Sequence, residues 1–214
     1  AIKTSIFREN EELLPFILKY VKKIRENSIL VVTSKIVALS EGRTVLYENK
    51  KQKIKLIKKE SDFVLKKNFL FTVKNGMVMA FAGVEESNGD GKLLLLPKDS
   101  YLSAEILRKR LMQKYNLKNL GILVTDSGFI PLRSGAVGMA IGYAGFKGVK
   151  NSIGKKDIFG RILKMSKTNI ADSLAASAVL CMGEGGERQP LALITDAPVK
   201  FTKKINKKEI RINI

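Results

Sequence analysis

Asn75-Gly76 stands between two apolar runs, Phe69 to Val73 and Met77 to Phe81. An Asn-Gly pair accepts the positive φ angles that a two-residue hairpin turn requires, so these pieces predict an antiparallel β-hairpin. The rest of the chain mixes helix and strand signals around it. Residues 10–27 place Leu13, Leu14, Ile17, Tyr20, Val21 and Ile24 at helical spacing, with Asn10 as candidate N-cap and Pro15 in the first turn. Ser28 to Thr33 reads as a buried strand, and residues 43–48 and 53–58 as weaker ones. Asp99 caps a predicted helix through about Asn116. Gly121 to Thr125, Ala136 to Tyr143 and Pro190 to Thr195 are further strand candidates, and Ser166 to Met182 is an Ala-rich helix. Strands and helices do not alternate strictly, which predicts an α+β fold of mixed, largely antiparallel sheets with packed helices. The 214 residues fit one domain, or two small ones sharing a core. We place that domain at residues 1–195, followed by a basic C-terminal extension, 196–214.

Composition then limits the chemistry. There is no histidine, so imidazole bases, His-assisted nucleophiles and His-ligated zinc are excluded. The one cysteine, Cys181, excludes an intramolecular disulfide framework and a Cys-cluster metal site. Its apolar helical neighbours, Leu180 and Met182, predict a buried, inert thiol. Lys and Arg number 39 against 20 Asp and Glu, a net charge of +19. Such a balance suits polyanionic partners. The basic residues are spread and lack interleaved aromatics, which favours solvated faces over a nucleic-acid surface. No apolar run is long enough to span a membrane, and Ala-Ile-Lys-Thr has no signal-peptide architecture, so the expected location is the cytoplasm.

Polar groups concentrate beside small residues at three predicted junctions. The first is Ala82 to Asn88, after the hairpin; the second is Val124 to Gly128, after a buried strand. The third is Met182 to Gln189, after the Ala-rich helix. A strand ending in Asp beside a hydroxyl can present a carboxylate to Mg²⁺, and converging carboxylates can hold the cation against a nucleotide's phosphates. Gly-rich backbone can approach phosphate closely. The alternatives are a plain turn at Thr125 to Gly128 and a helix C-cap at Gly183.

At these segments the chain resembles the coenzyme F420-0:L-glutamate ligase family, the γ-glutamyl ligases that elongate a deazaflavin coenzyme. The similarity runs from about residue 4 to 195. It includes Thr33 to Val37, Ser40 to Arg43, Ala82 to Asn88, Leu96 to Asp99, Val124 to Ser127, Ala140 to Gly145, Ala171 to Ala176 and Met182 to Glu184. The resemblance implies a two-lobed, homodimeric enzyme that uses GTP and Mg²⁺ or Mn²⁺. Its metal ligands fall on Glu85, Asp126, Ser127 and Glu184. Its nucleotide-binding positions fall on Thr4, Ser5, Ile6, Phe7, Ser34, Asn88, Met182, Gly183, Gly185, Gly186, Glu187, Arg188 and Gln189.

The chain departs from the family's usual residues at several of these places. Leu39 stands where a phosphate-meeting Lys is usual, and Ser5-Ile6 where Pro-Glu is usual. Glu85 replaces Asp, Ser127 replaces Thr and Glu184 replaces Gln. The implied reaction phosphorylates a substrate carboxylate, and the amine of glutamate then displaces the phosphate. A carboxylate nucleophile is already ionised, so this chemistry needs no imidazole base. Lys35 and Arg133 are the catalytic candidates for neutralising phosphate; Lys155 and Arg161 are candidates for a substrate carboxylate. The choice between GTP and ATP stays open, as does the acceptor: F420-0-like, folate or another. The alternative class is a non-catalytic, nucleic-acid-binding relative.

Overall fold

Two neighbouring segments that are far apart in sequence, β1 (Ser28–Thr33) and β7 (Leu120–Phe129), run parallel at the centre of the main sheet, and their placement organises the other elements. The computed structural model describes residues 1–66, 70–204 and 206–211. In chain order, α1 (Leu13–Tyr20) precedes β1, and then come α2 (Ser34–Ser40), β2 (Thr44–Val45) and α3 (Lys50–Glu60). The hairpin region holds β3 (Phe63–Lys66), β4 (Phe71–Lys74) and β5 (Met77–Ala80), followed by β6 (Leu93–Leu94) and α4 (Ser100–Tyr115). The chain continues with β7 (Leu120–Phe129), β8 (Ala136–Ala144), β9 (Val149–Asn151), β10 (Lys167–Asn169), α5 (Ile170–Met182) and β11 (Leu191–Ile194).

The main sheet has the order β11-β1-β7-β8, and only the β1–β7 pair is parallel. Leu30, Val32, Ile122 and Val124 pack on one face with residues of α1, α2 and α4. Ile29, Val31 and Leu123 pack on the other face with Ala171, Ala175, Ala178 and Met182 of α5. Residues 197–201 and Ile210 also cover this second face, and the Glu209 carboxylate accepts from the Tyr143 hydroxyl and the Gly148 N–H. A third core, with Ile57, Leu70, Ala82, Leu93 and Leu95, lies under α3 and the hairpin. The run Leu93 to Leu96 alternates between cores: Leu94 and Leu96 belong to the first, Leu93 and Leu95 to the third. The period of two in a strand produces that division. The α+β fold with mostly antiparallel pairing is as expected.

Local chemistry explains most of the boundaries. Asn75 and Gly76 take φ of 55° and 76° in the β4–β5 turn, as the hairpin signal requires; Phe69 lies outside the described residues. The Asp99 carboxylate accepts from the Leu102 N–H and starts α4, and left-handed Asn116 ends it. Several expectations need correction. The helix foreseen over 10–27 is confined to α1, because Asn10 is left-handed and gives its N–H to Leu39. Beyond Tyr20 the chain leaves the helix yet still buries Val21 and Ile24. Residues 53–58 are helical within α3, whose N-cap Asn49 accepts from the Gln52 N–H. The Ala-rich helix starts at Ile170, since Lys167 to Asn169 pair with β9. Cys181 is exposed on α5, because Ala178, Val179 and Met182 take the inward positions.

A bulge on β8 places Gly142 opposite Val124 but Ala140 opposite Thr125, leaving Ile141 as the extra residue. Gly142 therefore meets Ser100 of α4, whereas Gly138 meets α5 on the other face. A methyl group on Gly138 would lie 2.5 Å from both the Ala175 carbonyl oxygen and the Val179 Cβ. The Gly138→Ala variant is expected to lose about 1–3 kcal/mol of stability by overpacking, read from urea denaturation.

Candidate active site

The parallel pair aligns Thr33 with Thr125, so the next residues, Ser34 at the start of α2 and Asp126 within β7, come together. The Ser34 hydroxyl donates to Asp126 Oδ1 over 2.7 Å, and Asp126 is only 8% exposed. Strand alternation sends Asp126 to the α2 face and Ser127 to the α5 face. There the Ser127 hydroxyl donates to Glu184 Oε2 at 2.5 Å. The segment 124–128 is thus a continuous strand and not the strand-to-loop junction foreseen from sequence.

Glu85 is fixed by two backbone hydrogen bonds with Leu94. Lys35 Nζ, from the first turn of α2, donates to both of its carboxylate oxygens, at 2.7 and 2.6 Å, and the Ser87 hydroxyl donates to Oε2 at 2.6 Å. Burial pushes the Asp126 carboxyl up to about 6, and the negative charge of Glu85 adds to the rise. The Ser34 hydroxyl, the Lys35 ammonium and the Ser127 N–H oppose it. Glu85 and Asp126 therefore feel each other's charge, with Lys35 near both.

This oxygen-only donor chemistry suits a hard divalent cation such as Mg²⁺ or Mn²⁺. Among the described residues, however, no three carboxylates or thiols gather at metal-binding distance. Glu184 is engaged with Ser127, so its joining Glu85 and Asp126 around one ion requires a local rearrangement.

A cleft of about 880 Å³ opens beside these groups. One wall is the N-terminal segment, Thr4 to Glu9, held by Ile2 N–H to Leu191 O at 2.7 Å and Thr4 N–H to Arg188 O at 2.9 Å. Tyr20 secures the same segment, accepting from the Ser5 N–H and donating to the Ser5 hydroxyl. The adjoining wall runs from Met182 to Pro190. Gly183 ends α5 with φ of 84°, and its N–H donates to Val179 O. The Glu187 carboxylate turns back within this loop and accepts from the Gly185 N–H at 2.8 Å. Every position expected from sequence to meet nucleotide lines the cleft: Thr4 to Phe7, Ser34, Asn88, Met182, Gly183 and Gly185 to Gln189. Lys35, Asp126, Ser127 and Glu184 line it too, and Glu85 adjoins it through Lys35.

The other expected cations lie elsewhere in the chain. Arg133 is exposed in the connection between β7 and β8, and Lys155 and Arg161 are exposed on an arm between β9 and β10. The cleft also contains Arg8, Glu9, Thr44, Asp90 and Lys92, which the sequence reading did not single out. Lys92 Nζ donates to Glu9 Oε2 at 2.5 Å, and the Thr44 hydroxyl donates to the other carboxylate oxygen of Glu9. No motif marks these residues. The one available signal was the Asn88-Gly89-Asp90-Gly91 turn immediately before Lys92.

A carboxyl whose folded-state pKa is raised stabilises the fold below its ordinary value and loses that contribution as pH rises through the folded value. The Asp126→Asn variant, in EDTA, is therefore expected to be more stable than wild type by about 3 kcal/mol above pH 7. The difference disappears below about pH 4. Urea denaturation at the two ends of this range measures it; an equal or less stable variant at pH 7.5 contradicts the assignment.

The sequence is similar to that of known proteins over nearly its whole length. The family model described as F420-0:Gamma-glutamyl ligase matches residues 1–196. A coenzyme F420:L-glutamate ligase of Methanococcus maripaludis strain C6 is 37% identical, covering 94% of this chain and 89% of the relative. The proteins of that name from Methanocaldococcus jannaschii and Archaeoglobus fulgidus are 35% and 33% identical. They cover 94% and 88% of this chain, and 88% and 83% of the respective relatives. With the matched region reaching from the N-terminal cleft wall through β11, the chain belongs to the F420-0:γ-glutamyl ligase family, a family of ligases.

Proposed function

We propose that this chain joins L-glutamate through an amide bond to a carboxylate of an F420-0-like acceptor, using a nucleoside triphosphate. The observation that carries the reading is the cleft. It sets the close carboxylates Glu85 and Asp126 beside the Gly-rich loop 182–189, in a chain whose relatives are named coenzyme F420:L-glutamate ligases. GTP is the first candidate and ATP the second. In the proposed reaction an acceptor carboxylate oxygen bonds to the γ-phosphorus while the β–γ bridging bond breaks, releasing nucleoside diphosphate. The glutamate amine then bonds to the acyl carbon of the acyl phosphate, inorganic phosphate leaves, and the amine gives up a proton to solvent.

The chain's own residues supply orientation and charge in this scheme. Ser34 holds Asp126 in one rotamer, and Lys35 orients Glu85. Asn88, residues 182–189 and Thr4 to Phe7 flank the nucleotide. Glu85, Asp126, Ser127 and Glu184 would hold Mg²⁺ or Mn²⁺, which when bound neutralises phosphate charge. Lys35, released from Glu85, supplies an ammonium to neutralise the reacting phosphate. Arg133 lies outside the cleft of its own chain, as do Lys155 and Arg161, so these reach ligand only through a second chain or a movement. We further propose a homodimer. The β9–β10 arm supports this reading, because it exposes Ile158 and Phe159 at 91% and 89%, with Ile162 and Met165 beside them. Among the described residues no helix is long and apolar enough to cross a membrane. With its single cysteine, the chain fits a reducing compartment, and we place it in the cytoplasm.

GTP or ATP with Mn²⁺, at about 100 times its dissociation constant, is expected to raise the melting temperature by about 5–10 °C. Asp126→Ala should abolish the shift. Incubation with glutamate, nucleotide and either F420-0 or a folate, followed by mass spectrometry, should show one added glutamyl unit on F420-0. Product on folate alone would move the acceptor assignment, and no product on either would overturn the ligase reaction. Sedimentation velocity should give a dimer that Phe159→Glu converts to monomer.

A further inference from the structure

Among the described residues, four cations face the cleft: Arg8, Lys35, Lys92 and Arg188. Lys35 is clasped by both oxygens of Glu85. Beside Glu9, where Asn10 gives its N–H to Leu39 O, the wall presents the uncharged Leu39 side chain. Lys92 reaches this wall from a segment 83 residues distant in sequence, to meet Glu9.

The backbone beneath Lys92 is fixed. Asn88, Asp90 and Gly91 take φ of 60°, 50° and 80°, and the Lys92 N–H closes the turn on Gly89 O at 3.0 Å. Gly89 has no room for a side chain, since a Cβ would fall 2.2 Å from the Lys92 carbonyl oxygen. Leu93, the next residue, is fully buried. The root of Lys92 is therefore anchored, while its long side chain remains 34% exposed and its partner Glu9 28%. An ion pair this accessible keeps much of its hydration and contributes little. A polyphosphate brings more negative charge and more acceptor oxygens than one carboxylate, so it competes well for the same ammonium.

We propose that Lys92 is a phosphate-binding residue of this cleft, and that Glu9 is the resting counter-ion it exchanges for the polyphosphate. The assignment rests on the nucleotide reading above and deepens it. Thr44, which donates to Glu9, keeps the displaced carboxylate on its own side of the cleft.

The test is calorimetric titration of wild type, Lys92→Met, Lys92→Arg and Glu9→Gln with GTP, ATP, inorganic triphosphate and pyrophosphate. Lys92→Met should weaken GTP and inorganic triphosphate about tenfold or more. Lys92→Arg should stay within about threefold of wild type, because the charge remains. Glu9→Gln should tighten both by about two- to fivefold, and should have no effect when Lys92 is already Met. Circular dichroism melts show whether each variant is folded, and Lys92→Arg preserves the test if Lys92→Met does not fold. Triphosphate binding undiminished in Lys92→Met overturns the Lys92 assignment alone. Equal weakening by Glu9→Gln and Lys92→Met also overturns it, because that pattern belongs to a structural ion pair. If wild type binds none of the four ligands, the assignment and the nucleotide reading fall together.

Discussion

The burial of one carboxyl group, Asp126, governs the arrangement of everything around the cleft. A carboxylate taken out of water is tolerated only when hydrogen bonds and opposite charge replace part of the lost hydration. Here the replacements come from α2, which supplies the Ser34 hydroxyl and the nearby Lys35 ammonium. The parallel register of β1 and β7 puts α2 in place to do so. Glu85 then works against the burial by adding negative charge. A buried carboxyl perturbed by both desolvation and a specific charged neighbour, at the edge of a cleft, marks a candidate functional site.

Flanking features show the same division of labour. Segments with a structural role satisfy their own polar groups. The Asp172 carboxylate, for example, takes the Ala140 N–H at 2.8 Å and the Asn169 amide, joining α5 to β8. Glu60 receives both Lys74 and Arg43, tying α3 to the hairpin and to the approach to β2. In the cleft, Glu9, Lys35, Glu85 and Lys92 are all partly exposed. Their pairings can be exchanged without unfolding the elements that carry them.

How much of this was legible in the sequence depended on whether a local rule decided the outcome. Asn75-Gly76 and Asp99 signal through their own backbone chemistry, and both features appear where expected. Residues 53–58 alternate apolar and polar like a strand, yet the Asn49 cap and the inward-facing Ile57 made them helical. The helix over 10–27 stopped early because Val21 and Ile24 could reach the first core without helical geometry, a packing outcome that spacing does not encode. Within the candidate site, Asp126, Ser127 and residues 182–189 stood out because small and polar residues sit next to buried runs, and Ser34 through the family resemblance; all of them line the cleft. Glu9 and Lys92 were not. Their partnership depends on two segments meeting across the cleft, and neither residue is unusual among so many lysines and carboxylates.

The leucine run from 93 to 96 joins the two sides of the molecule in one further respect. Because alternate leucines feed different cores, this one run carries apolar surface into both, and Glu85 is bonded to its middle through the Leu94 backbone. The carboxylate beside the cleft and the lysine at the head of the run are therefore seated on a segment buried on both faces, so loosening either core would displace the two charges together.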